Sequence, residues 1–296
     1  MSFVEAEIRS QPQCWLEAAR LAESDEFRAR LPEAGARVAI LGCGTSLYMA
    51  QACARLRERS GAGETDAWAA SEFRSGRHYD HVVALTRSGT TTEVLRALEV
   101  LEATPSTVIT TGPQLPAARP ASGTIALPFA DERSVVQTRF ATTALALWRA
   151  WLGEPIEPLA RAAEQALVAP LPDGILELVR ITFLGTDWSV GIASEAALKC
   201  REAAQLWTEA YPAMELRHGP ISVLDGRSAG WIFGPPPAGL IDDVRATGAL
   251  VISSEQDPMV DLIRAQRSAV AIAQSRGLDP DRPRNLTRAV LLAEPS

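Results

Sequence analysis

Lysine is all but missing from this sequence: Lys199 is the only one in 296 residues, against 28 arginines. Positive charge is not in excess either. With a net charge of −7, a pI near 5.2 and no long basic run, the chain is expected to take no nucleic acid as its main partner. No apolar stretch approaches the roughly 20 residues of a membrane span, and the opening MSFVEAEIRS lacks a signal peptide's apolar core, so no membrane partner is expected. The few cysteines, Cys14, Cys43, Cys53 and Cys200, show no metal-ligand spacing and read as reduced, buried thiols of a cytoplasmic protein. Neither a Gly-Lys-Ser/Thr phosphate loop nor a GxGxxG run occurs, which disfavours a nucleotide.

What is present alternates. ARVAILGCGTS (36–46), DAWAASEF, HVVALTRSGTTTEVLRALEVL (81–101), STVITT (106–111) and GTIALP carry short apolar strands, with helical patterns at 12–30, 47–58 and 134–152. Strands alternating with helices predict an α/β fold with a parallel sheet covered on both faces. At 153–174, Pro155, Pro158, Pro170 and Pro172 flank one helical segment, and then the pattern restarts. ITFLGTDWS (181–189) echoes VAILGCGTS, and RSAGWIFG (227–234), ATGALVIS (246–253) and a helix from Pro258 to about Ser275 complete a second unit. This weak repeat, at a spacing of about 140 residues, predicts two doubly wound subdomains, 1–152 and 175–275, joined by a connector at 153–174. The Pro-rich tail, 276–296, is expected to lie over something rather than form a core element.

The stretch Ser194–Gly219 carries the densest chemistry. Its first half is alanine-rich and free of glycine and of proline until Pro212, so it reads as a helix. On a 3.6-residue period Glu195, Lys199 and Glu202 share one face, while Ala196, Cys200, Ala203 and Trp207 form a small or apolar stripe to be buried. A Glu–Lys pair at this spacing is common on solvated helices, where it stabilises by roughly 0.2–0.5 kcal/mol. The solitary lysine argues for more, because a compact, titratable amine does chemistry that a guanidinium does not. His218, in a turn-like run just after this helix, is a candidate acid–base group.

Two loops, GCGTS (42–46) and TRSGTTTE (86–93), each follow an apolar strand and open a helix. Helix N-termini present unpaired N–H groups and a positive dipole end, which suit an anion. Thr45, Ser46, Thr86, Ser88 and Thr91 would add hydroxyl donors to the same phosphate. Serine and threonine are also favoured helix caps; two loops this dense in hydroxyls point to phosphate.

Together these segments resemble the sugar isomerase (SIS) family, in particular the isomerase half of glucosamine-6-phosphate synthase and stand-alone amino-sugar-phosphate deaminases and phosphosugar isomerases. The resemblance spans nearly the whole chain and rests on EIRSQP (7–12), GCGTS, TRSGTTTE, ERSVVQTRF (132–140), EAALKCRE (195–202), EAYPAMELRHGP (209–220) and RGLDPDRPRNL (276–286). It implies two SIS-type subdomains with the tail over the active site, no cofactor and no metal. Position by position, Thr45, Ser46, Thr86, Arg87, Ser88 and Thr91 match phosphate-binding residues. Glu202 matches the carboxylate that moves a proton between C1 and C2, and Lys199 the lysine that steadies charge on the substrate. His218 matches a ring-opening histidine usually supplied by a neighbouring subunit, which implies a homodimer; Glu195 is a possible substrate contact.

The implied substrate is a hexose or hexosamine 6-phosphate undergoing aldose–ketose isomerisation, with deamination expected of an amino sugar. A fructosamine-6-phosphate deglycase and a non-catalytic phosphosugar-binding regulator are the alternatives. The isomerase pattern starts at once, with no glutaminase segment before it, so no ammonia is expected to be drawn from glutamine. In the tail, Arg288 stands where the synthase has its Schiff-base lysine; a guanidinium does not act as that nucleophile, so Arg288 is expected to contact substrate or tail carbonyls.

Overall fold

The structure, a computed structural model, describes residues 2–74, 76–101 and 103–292. The chain divides into two compact units whose pieces interleave in sequence. One comprises Gln13–Arg133, Arg139–Ile156 and Leu286–Ser296; the other comprises Met1–Pro12, Ser134–Thr138 and Glu157–Asn285. The first helix, α1 (Phe3–Ala22), begins well before the predicted residue 12 and has Pro12 inside it. Proline there leaves the carbonyl one turn back without its backbone donor. The Gln11 side chain takes that place, donating to the Ile8 carbonyl at 3.1 Å. A short helix, α2 (Asp25–Arg28), follows, its Ser24 cap accepting from the Phe27 N–H.

The first unit is built on a five-stranded, all-parallel sheet of order β2-β1-β3-β4-β5. Its strands are β1 (Val38–Gly42), β2 (Thr65–Ala69), β3 (His81–Leu85), β4 (Ser106–Thr110) and β5 (Gly123–Ala126). Every residue of β1 and β4 is buried, the mark of parallel strands covered on both faces. The helices are α3 (Thr45–Arg59), α4 (Thr92–Glu99) and α5 (Arg139–Trp151). Strand order reverses between β1 and β3, and in such sheets the crevice at the carboxyl ends of those strands is where ligands sit. The helix predicted from residue 134 begins at Arg139 instead. Ser134 is captured by a buried carboxylate: Glu7 accepts its N–H at 3.2 Å and also its hydroxyl, which holds this segment out of the helix.

The other unit repeats the plan with four parallel strands in the order β7-β6-β8-β9. These are β6 (Arg180–Gly185), β7 (Trp207–Pro212), β8 (Ser228–Phe233) and β9 (Leu250–Ser253), with helices α6 (Glu157–Val168), α7 (Ser189–Ala204), α8 (Leu240–Ala246) and α9 (Pro258–Ser275). The two first strands turn into their helices alike. A Cβ on Gly42 would stand 2.4 Å from the Ser46 carbonyl carbon, and one on Gly185 would stand 2.3 Å from the Ser189 oxygen. Helix α7 stops sooner than its composition predicts: Gln205 takes a left-handed conformation (φ 49°), and the chain leaves as edge strand β7. Trp207 is therefore not part of the helix's buried stripe; it stands 73% exposed. No described helix is long and apolar enough to cross a membrane.

Candidate active site

In the first unit both hydroxyl-rich loops leave adjacent strands at the same sheet edge, GCGTS after β1 and TRSGTTTE after β3. Thr45 and Ser46 open α3 and are buried; Thr91 stands just before α4. Neither helix has a side-chain cap at its N-cap position, which is Gly44 for α3 and Thr91 for α4. The Thr91 hydroxyl faces Ser88 Oγ at 3.4 Å instead. Within the second loop Thr86 Oγ1 accepts from the Gly89 N–H and Ser88 Oγ from the Thr90 N–H, both at 3.2 Å, which fixes the turn. A cavity of about 600 Å³ opens here, lined by Ser88, Thr90, Thr111 and Gln114 together with Asp131 and the tail around Arg288. That volume suits a small ligand.

Arg87 points into protein. Its guanidinium is 1% exposed, 3.6 Å from the equally buried Glu132 carboxylate, and donates to the Arg288 carbonyl at 3.0 Å. Arg288 donates in turn to the Glu132 carbonyl and to the Asp131 carboxylate. In the first loop the Cys43 thiol is pushed up to about 11 by burial, with the charge of Glu93 adding to it. It stays protonated near neutral pH and is no nucleophile.

In the other unit α7 aligns the three charged residues. Lys199 Nζ lies 2.5 Å from Glu202 Oε2 and 3.5 Å from Glu195 Oε1. This is no solvated surface row: the side chains of Glu195 and Lys199 are 0% and 2% exposed, and only Glu202, at 18%, reaches solvent. Removing an ammonium from water is costly unless it is paired, and two carboxylates on consecutive turns pair this one. The arrangement presents one accessible carboxylate backed by a buried cation. His218 ends the 3₁₀ turn Ala213–His218 after β7; it is exposed and makes no hydrogen bond or ion pair among the described residues. Within the chain the structure joins Lys199 to both glutamates and leaves His218 apart from them.

No protein-family profile matches the chain. Over 340 residues, 97% of the chain, it is 28% identical to a glutamine–fructose-6-phosphate aminotransferase (isomerizing) of Methanothermobacter thermautotrophicus. The chain is thus similar along nearly its whole length to isomerising glutamine–fructose-6-phosphate aminotransferases. It spans only 57% of the length of that relative. Its fold matches a Thermotoga maritima glucosamine-6-phosphate deaminase with a TM-score of 0.84 at 23% identity, covering 98% of this chain and 100% of that one. It also matches the C-terminal domain of a glucosamine–fructose-6-phosphate aminotransferase from Francisella tularensis, with a TM-score of 0.80 at 20% identity over 96% and 98% of the two chains.

Two acids escaped sequence reasoning: Asp131, which lines the cavity and accepts from Arg288, and the buried Glu132 behind it, which meets both Arg87 and Arg288. Only the motif ERSVVQTRF pointed near them, and nothing in its spacing says that its acid will meet Arg87.

Proposed function

We propose that the chain is an enzyme that isomerises a hexose or hexosamine 6-phosphate by aldose–ketose proton transfer, and that with glucosamine 6-phosphate the isomerisation ends in deamination. The observation that carries this reading is the contact between Glu202 and Lys199, a partly exposed carboxylate held against a buried ammonium. The similarity to an isomerising aminotransferase and to a deaminase supports it.

In this scheme the hydroxyl loops bind the phosphate, and the proton is carried over a short distance, where fixed geometry lowers the barrier. Glu202 takes the proton from C2 of the open-chain amino aldose. The electron pair moves into the C1–C2 bond, and negative charge gathers on O1, where the ammonium of Lys199 opposes it. Glu202 returns the proton to C1 while an amine proton passes to O1, leaving a hydroxyl on C1 and an imine at C2. Water adds to that imine and ammonia leaves, giving fructose 6-phosphate. His218, supplied by a second copy in a homodimer, would assist ring opening.

The test is Glu202→Gln, assayed with glucosamine 6-phosphate for ammonia release and, separately, for aldose–ketose interconversion. Loss of a positioned general base typically costs about 10²–10⁴-fold, and a drop of that size in both readouts is expected. A variant that keeps near wild-type turnover overturns the assignment. Release of an amino acid from a fructosamine 6-phosphate identifies a deglycase instead. Sugar phosphate binding with no turnover of any substrate identifies a regulator.

A further inference from the structure

The contacts around the cavity of the first unit close into a ring. Arg87 pairs with Glu132 and donates to the Arg288 carbonyl, while Arg288 donates to the Glu132 carbonyl and to Asp131. The ring joins three stretches far apart in sequence: the loop after β3, the turn before α5 and the tail. Beyond it the tail is tied to the start of α4. Thr92 donates its N–H to the Val290 carbonyl at 3.2 Å, and the Leu292 N–H donates to Thr92 Oγ1 at 3.0 Å. Thus an N-terminal N–H of α4 is taken by the tail, and one wall of the cavity is tail.

The two cations are held unequally. Arg87 and Glu132 are buried, whereas Arg288 and Asp131 are 41% and 49% exposed. An exposed pair of this kind contributes much less than a buried one, so the strap opens far more readily than the core beneath it. A guanidinium at 288 has the planar fork needed to reach a carbonyl and a carboxylate together; an ammonium there is a point charge without that geometry.

We propose that Arg288 is a positioning residue that straps the tail across the hydroxyl-lined cavity and, through Glu132 and the shared carbonyl, fixes Arg87 and the phosphate loop for a small phosphorylated sugar. This rests on the functional reading above for the identity of the ligand, though not for the strap itself. Arg288 does no bond-breaking, and its loss acts on binding rather than on the chemical step. The unit admits substrate when the exposed half of the ring lets go and holds it when the ring closes.

The test uses the full chain as wild type, Arg288→Ala, Arg288→Lys and Asp131→Asn. Hydrogen exchange reads the strap without any ligand, and calorimetry with fructose 6-phosphate reads the pocket. In Arg288→Ala, peptides covering 88–95 and 286–292 are expected to exchange about tenfold faster, with α7 peptides unchanged, since only the local opening equilibrium moves. The dissociation constant and KM are expected to rise about tenfold with kcat within about threefold, the pattern of lost uniform binding. Arg288→Lys and Asp131→Asn are expected to fall between. Unchanged exchange overturns the strap, and unchanged affinity in the presence of faster exchange overturns the positioning role. Failure of the wild type to bind fructose 6-phosphate or glucosamine 6-phosphate overturns the functional reading, and exchange alone then decides the strap.

Discussion

Lys199 and Glu195, one turn apart on α7, form an ion pair of 3.5 Å in which both side chains are almost wholly enclosed by protein. Enclosure makes each charge depend on the other. Breaking a buried pair from one side leaves a stranded charge and typically costs about 3–5 kcal/mol. Lys199→Met is therefore expected to lower unfolding stability by that order, measured from urea midpoints. The double variant Lys199→Met/Glu195→Gln, which leaves only the partly exposed Glu202 carboxylate without its cation, is expected to recover most of the loss. A single variant as stable as the wild type would show that the pair carries no such dependence.

A second expectation concerns acid. His81 opens β3 with its Nε2 2.9 Å from Thr107 Oγ1. Burial, with the charge of Arg57 adding to it, holds its pKa below the usual histidine value. A depressed pKa means that the unfolded chain binds the proton more readily than the folded one. The associated stability is present above about pH 6.5, the ordinary histidine value, and is lost as pH falls through the folded pKa. Urea midpoints at pH 7.5 and about 5.5 are expected to fall more steeply for the wild type than for His81→Gln. Equal slopes would refute it.

The third concerns the two glycines at the ends of the first strands. A Cβ at Gly42 or Gly185 meets backbone within 2.4 Å, too close for any flexible side chain to yield. Each alanine variant must push a helix start away from its strand, and overpacking of this kind costs about 1–3 kcal/mol or more. Comparable losses of thermal stability are expected from Gly42→Ala and Gly185→Ala, because the two turns share one geometry. Tolerance at either position would mean that the helix start shifts freely.

How much of this was legible beforehand depends on how local the signal is. The alternation of strands and helices was plain in the sequence, and so was the row formed by Glu195, Lys199 and Glu202, because both depend on periods of a few residues. The end of α7 was not, since a single left-handed Gln205 turns an alanine-rich helix toward β7 and no composition marks it. Residues 134–138 continued a helical pattern and were drawn off it by Glu7, more than a hundred positions away. The acids that meet Arg87 and Arg288 also lie well outside the reach of any local period. Loops dense in hydroxyls announce themselves, whereas the acids that steer the arginines become visible only once the chain is folded.

The interleaving of the two units bears on synthesis. The β6–β9 unit includes Met1–Pro12, and the β1–β5 unit takes in Leu286 onward. A ribosome thus delivers the parts of each unit at widely separated times. The opening segment of α1 must wait for β6–β9 to emerge, and the β1–β5 half remains without its tail contacts until the residues past Asn285 have been made. Scission in the segment between α5 and α6 would leave each product short of a piece held by the other.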